Sequence, residues 1–178
     1  MPARTSRGSK RRGSQSSGTD RMPKYETTRR VPYTAREMFD VVADVERYPL
    51  FVPMCEGLKI TSRQTTGRTT TLVATMAIGY KAIRENFTTR VVLHPDAAPE
   101  RIEVSYLDGP FRHLENRWRF LPREAGGSDV HFYIDYEFRS AMLGLVMGAV
   151  FDKAFRKFAE AFEARARSVY GPVQIRSV

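Results

Sequence analysis

The sequence predicts an α+β fold in which a curved antiparallel sheet wraps one long C-terminal helix and leaves an apolar cavity between them. Two observations carry this expectation. Stretches with apolar residues at every second position follow one another from about residue 57 to residue 138, separated by short turns. They are followed by a long stretch with helical spacing, opened by Ser140 and closed by Gly171-Pro172. Sequential hairpins make an antiparallel sheet that can be apolar on one face alone, and a helix is the natural cover for that face. A large sheet twists and coils, so a straight rod cannot fill its concavity, and such gaps are where apolar ligands bind.

Each element follows from its residues. "KYETTRRVPY" (24–33) alternates Tyr25, Thr27, Arg29 and Val31 as a first strand. Thr34 and Glu37 then form a capping box, each side chain satisfying an orphan amide at a helix start. That helix is expected to continue through Met38, Phe39, Val41, Val42 and Val45 and to stop before Pro49, which has no amide hydrogen. Residues 48–54 read as an irregular or one-turn helical segment.

Strands are expected over 57–64 and 68–79, linked by Thr65-Thr66-Gly67, with Leu72, Ala74, Met76 and Ile78 on one face. The next runs over 80–93 with Ile83, Phe87, Val91 and Leu93 together, and "HPDAAPE" ends it. Three more alternations follow: Ile102, Val104, Tyr106; Leu114, Asn116, Trp118, Phe120; and Val130 through Phe138. In the final helix Leu143, Val146, Met147, Val150, Phe151, Phe155, Phe158 and Phe162 recur on one side, with Lys153, Arg156, Lys157 and Glu160 opposite.

Composition bounds what this fold can do. The chain has 178 residues, 42% hydrophobic and 28% charged, which suits one domain with a sizeable core over 23–171. No apolar run approaches the roughly 18–20 residues of a membrane span. A single cysteine excludes an intrachain disulfide and a cysteine-rich zinc site. Without a signal-peptide pattern, the expected location is cytoplasmic. The net charge is +9, and its densest part is residues 1–22, where six Lys and Arg stand against Asp20 alone. That segment has no Leu, Ile, Val or aromatic residue and is expected to be a disordered basic tail; 172–178 is expected to be a C-terminal tail. The basic tail reads as solvated, as a contact for nucleic acid or an anionic membrane, or as an organelle-targeting segment lacking the usual apolar face.

Catalytic chemistry is sparse. His94, His113 and His131 lack metal-ligand spacing, and no glycine-rich phosphate loop, Gly-x-Ser-x-Gly or carboxylate pair occurs. No catalytic residue, metal or cofactor is therefore expected. Asn116, Glu85, Tyr106 and Tyr136 put polar groups in the inward register, either as satisfied core groups or as contacts for a polar ligand head group. "DVERYPLFVPMCE" (44–56) combines Pro49 and Pro53 with Tyr48, Phe51, Val52 and Met54. It reads as a rigid apolar wall or gate, with Cys55 as a small packing residue. Asp108-Gly109-Pro110 is strong turn chemistry, and Phe111 beyond it either stands out beside Arg112 and His113, suited to an anionic membrane, or folds into the core.

"VPYTAREMFDVVADVERYPLFVPMCEGLKI", "NFTTRVVL", "LDGPFRHLENRWRF" and "YIDYEFRSAMLGLVMGAVF" together resemble the coenzyme Q-binding START-like family, whose bacterial branch includes the ribosome-association toxin RatA. The resemblance runs from about Tyr25 to Tyr170, in order. It implies the helix-grip fold with a hydrophobic tunnel, and non-enzymatic binding of ubiquinone or a polyprenyl precursor in support of respiration. The implied partners are a quinone-type lipid and a peripheral contact with the inner membrane, with no DNA. The toxin branch implies instead a ribosome contact that blocks subunit association. A cyclase-like enzyme is a weaker alternative, because the acid/base groups it needs are absent from the inward register. The expected ligand-binding residues are Phe39, Val42, Tyr48, Phe51, Met54, Met76, Phe87, Trp118, Phe132, Val146, Val150 and Phe151.

Overall fold

Strand β1 (Lys24–Val31) opens the computed structural model, which describes residues 24–173; the expectations placed on residues 1–22 and 174–178 lie outside the described residues. The capping box forms as read: Thr34 Oγ1 accepts from the Glu37 amide at 3.2 Å, and Glu37 Oε2 accepts from the Thr34 amide at 2.8 Å. Helix α1 (Ala35–Ala43) buries Met38, Phe39, Val41 and Val42. It ends before Val45 rather than continuing through it. Pro49 would drive its ring into the carbonyl four residues back, which belongs to Val45. The chain tightens instead into a 3-10 turn over Val45–Leu50 that accommodates Pro49.

Six strands follow: β2 (Cys55–Thr66), β3 (Thr69–Tyr80), β4 (Ile83–His94), β5 (Glu100–Asp108), β6 (Phe111–Pro122) and β7 (Ser128–Phe138). Cys55 therefore starts a strand instead of sitting in the preceding loop, and Tyr80 closes β3 instead of opening β4. Sequential neighbours pair antiparallel, giving the order β1-β7-β6-β5-β4-β3-β2. The first strand joins the last, with Tyr25 opposite Ile134 and Val31 opposite Ser128. Register shifts at Cys55/Gly57, Ile60/Ser62, Thr88/Thr89 and Phe111/His113 are bulges, which bend strands and strengthen twist.

Helix α2 (Ala141–Tyr170) is capped by Ser140, whose hydroxyl accepts from the Leu143 amide at 3.3 Å, and stops at Gly171. It buries one stripe: Met147, Phe151, Ala154, Phe155, Phe162 and Ala166. One side-chain link ties it to the sheet, and another joins the segments just past β1 and α2. Arg29 on β1 donates to Glu163 Oε2 through Nε at 2.8 Å, and Tyr33 Oη donates to the Gly171 carbonyl at 3.0 Å. Helix α1 packs on α2 and on β5, β6 and β7.

Candidate functional site

The apolar faces of β3 to β7, the 3-10 turn with the segment after it, and α2 enclose a cavity of about 120 Å³. Alternation positions its sheet wall. Ala74, Met76 and Ile78 come from β3, Phe87, Thr89 and Val91 from β4, Leu114, Asn116 and Trp118 from β6, and Phe132, Ile134 and Tyr136 from β7. The α2 wall is four phenylalanines at helical spacing: Phe151, Phe155, Phe158 and Phe162. Val45, Tyr48, Val52, Pro53 and Met54 close one end, so "DVERYPLFVPMCE" does supply a wall.

Of the residues expected from sequence, Tyr48, Met54, Met76, Phe87, Trp118, Phe132 and Phe151 lie on this surface. The other five do not. Phe39 and Val42 are buried elsewhere, because α1 closes on Phe120: the Phe39 and Phe120 rings meet edge-on at 5.7 Å. Phe51 stands behind the wall, edge-on to Phe162 at 5.2 Å and to Tyr48 at 5.9 Å. Val150 is half-buried and Val146 is 50% exposed. Apolar residues cover most of the circumference of α2 between 141 and 151, but a helix resting on one sheet buries one stripe, and Met147 and Phe151 take it.

Of the two readings of Phe111 the structure takes the second: it does not stand out at the turn but folds into the core, 1% exposed, and forms part of the cavity surface. The bulge between Phe111 and His113 turns it inward, where it stacks on Phe138 at 4.7 Å and meets Phe87 edge-on at 5.4 Å. Sequence reasoning gave no role at the site to Phe155, Phe158 and Phe162. Their spacing of three and four from Phe151 was the available signal.

The polar groups of the wall divide into two sets. Tyr48 Oη donates to the Val42 carbonyl at 2.6 Å, Trp118 Nε1 donates to Asn116 Oδ1 at 2.9 Å, and Asn116 Nδ2 donates to the Tyr133 carbonyl at 2.8 Å. These are satisfied within the chain. By contrast, the hydroxyls of Tyr136 and neighbouring Tyr106 are buried with no hydrogen-bond partner. Burial, and then the nearby Asp152 carboxylate, push the Tyr136 phenol upward, and burial does the same to Tyr48. Both remain neutral hydroxyls at physiological pH. Cys55 is buried, donates weakly to the Gly57 carbonyl at 3.6 Å, and has its thiol pushed up to about 11 by burial. His131 lies outward beside Glu26 at 3.0 Å. No group of three or more His, Cys, Asp or Glu able to hold a metal occurs among the described residues.

A seven-stranded antiparallel sheet gripping a long C-terminal helix over an aromatic cavity defines a START-like, helix-grip protein. The chain belongs to the family described as polyketide cyclase / dehydrase and lipid transport, which residues 31–163 match. It is similar to the ribosome association toxin RatA of Escherichia coli K12, at 35% identity over 84% of this chain and 90% of that one. It is also similar to the mitochondrial coenzyme Q-binding protein COQ10 homolog B of Xenopus laevis, at 28% identity over 85% of this chain and 61% of that one. Among solved structures, the 18 kDa protein CC1736 of Caulobacter crescentus matches with a TM-score of 0.69 and 37% identity, over 85% of this chain and all of that one.

Proposed function

We propose that this protein binds the ring of a quinone-type lipid in its cavity, without chemical conversion, and exchanges that lipid with a membrane surface. The observation that carries the reading is the cavity wall: aromatic and aliphatic side chains with a few neutral hydroxyl, amide and indole groups, and no carboxylate, lysine or histidine among the described lining residues. Such a wall favours an uncharged, largely apolar guest and offers none of the stronger acids or bases that a cyclase would use. The similarity to a coenzyme Q-binding protein points the same way.

The volume refines the reading. A cavity of about 120 Å³ is close in size to the roughly 150 Å³ engineered cavity that takes up benzene. It suits a ring and is too small for a whole polyprenyl tail. The tail would reach the outside or displace α2. A surface for membrane contact adjoins the cavity: Met142 (76% exposed), Leu145 (83%) and Val146 (50%) stand out from α2, within three turns of Phe151. Arg112, Arg139 and Lys153 are exposed cations on the strand ends and helix that border this segment in the chain. This stripe takes over the membrane role that Phe111, being buried, cannot fill. No helix among the described residues is long and apolar enough to cross a membrane.

Purification from a quinone-producing host, followed by organic extraction and mass spectrometry, tests the ligand. A quinone or quinone precursor at substantial occupancy is expected; its absence, with no uptake on incubation, rejects the reading. Flotation with anionic phospholipid vesicles tests the surface. Leu145→Glu should abolish co-flotation and leave the melting temperature unchanged, and equal flotation of the variant rejects the docking face.

The similarity to RatA supports a second reading, a ribosome contact that inhibits subunit association. Sucrose-gradient profiles after overexpression separate the two: free subunits at the expense of intact ribosomes favour it, and unchanged profiles count against it.

A further inference from the structure

The polar groups of the cavity are not scattered. Ala74, Thr89 and Tyr106 stand opposite one another in successive strand pairs β3–β4 and β4–β5, and Leu114 faces Tyr136 across β6–β7. Tyr106 and Leu114 are the next residues beyond the Ser105–Glu115 pair, so one row crosses five strands. Within it, Tyr136 is 1% exposed and forms part of the cavity surface, while Tyr106 packs edge-on to Phe111 at 5.9 Å. Phe111 and Tyr136 are also edge-on, at 6.2 Å.

Both tyrosine hydroxyls are buried with no partner in the chain, although a buried hydroxyl without a hydrogen bond is costly. Elsewhere on the wall, Tyr48, Asn116 and Trp118 each hold a hydrogen bond within the chain, and the one acceptor near the Tyr136 hydroxyl, the exposed Asp152 carboxylate, stands outside hydrogen-bond limits. The unused donor capacity therefore gathers around Phe111. The geometry points to Tyr136 as a head-group anchor: its hydroxyl donates to a carbonyl oxygen of a quinoid ring seated against Phe111, fixing the polar end of the guest at this end of the cavity, while Tyr106 packs on Phe111 off the cavity surface. The inference rests on the proposed ligand class and deepens it by naming the recognised atom and the residue that recognises it.

The test compares two probes of nearly the same outline, tetramethyl-1,4-benzoquinone and 1,2,4,5-tetramethylbenzene, by calorimetric titration of the full chain. Wild type should prefer the quinone. Tyr136→Phe should weaken quinone binding about three- to tenfold and leave the hydrocarbon unchanged, since it removes one hydrogen bond and no ring, and Tyr106→Phe, off the cavity surface, should bind both probes as wild type does. Both variants should melt at or above the wild-type temperature, because a buried unpaired hydroxyl has been removed. Quinone binding that is equal in wild type and the double variant overturns the anchor and leaves the proposed function standing. A loss confined to Tyr106→Phe overturns the assignment to Tyr136. Binding of the hydrocarbon but not the quinone by wild type overturns both the anchor and the proposed ligand class.

Discussion

The indole Nε1 of Trp118 donates to Asn116 Oδ1 at 2.9 Å, two residues away along the same strand, and Asn116 Nδ2 donates onward to the Tyr133 carbonyl at 2.8 Å. One amide thus satisfies an indole and a backbone carbonyl on the cavity wall, and it fixes the Trp118 ring against Phe132 at 4.5 Å and Phe162 at 5.0 Å. Asn116→Ala leaves both groups unpaired and should lower stability by about 1–3 kcal/mol. Trp118 is the only tryptophan, so urea unfolding followed by its emission reads the loss directly.

Gly109 sits at φ +132 in the turn before β6, and a Cβ there would stand 2.7 Å from both the Asn86 carbonyl and Phe87 Cβ. Gly109→Ala combines a backbone conformation closed to L side chains with a collision against a strand that carries a cavity residue. It should cost about 1–3 kcal/mol. Thermal unfolding measures it; an unchanged midpoint would show that the turn relaxes freely.

Phe51 works through its neighbours. Its ring supports Phe162 and Tyr48 from behind, with the Arg165 guanidinium over its face at 5.6 Å. Phe51→Ala should cost about 2–3 kcal/mol, less than a fully buried phenylalanine. It should also loosen quinone binding without touching the ligand. A hydrogen-exchange map should show the effect over residues 45–54 and the facing turn of α2.

Cys55 makes a pH prediction. Its folded-state pKa, raised by burial to about 11 from an ordinary value of 9.0, means that the unfolded chain gives up the thiol proton first. Stability is therefore unaffected by this group below pH 9 and falls as pH rises from about 9 to 11. The difference between wild type and Cys55→Ala in denaturant midpoint should narrow or reverse over that window. At pH 7 the native thiol should react slowly with iodoacetamide, and Cys55→Ala should bind quinone as wild type does.

Most of the architecture was legible in the residues. Thr34 and Glu37 marked the start of α1, Ser140 and Gly171 marked the limits of α2, and Leu72 to Ile78 or Val130 to Phe138 declared their buried faces by simple alternation. Local chemistry suffices for these because caps and alternation act within a few residues. The site was legible only where one element offered a single apolar face. Met76, Phe87, Trp118 and Phe132 were placed on the cavity for that reason, and Val146 was misplaced because α2 is apolar on too many sides there.

The sequence by itself determined which segments are strands and helices and which face of each strand is apolar. Tertiary structure alone decided the pairing of β1 with β7, the turning of Phe111 inward at a bulge, and the closure of Phe39 and Val42 on Phe120 away from the cavity. It also decided which polar side chains are satisfied. Asn116 and Tyr136 look alike in the sequence, each a polar residue in an apolar strand. Asn116 finds Tyr133 and Trp118 within reach, and Tyr136 has only the exposed Asp152 nearby, outside hydrogen-bond limits. Hydrogen bonding depends on groups brought together to within about 3 Å, and that is fixed by how sheet and helix close on each other.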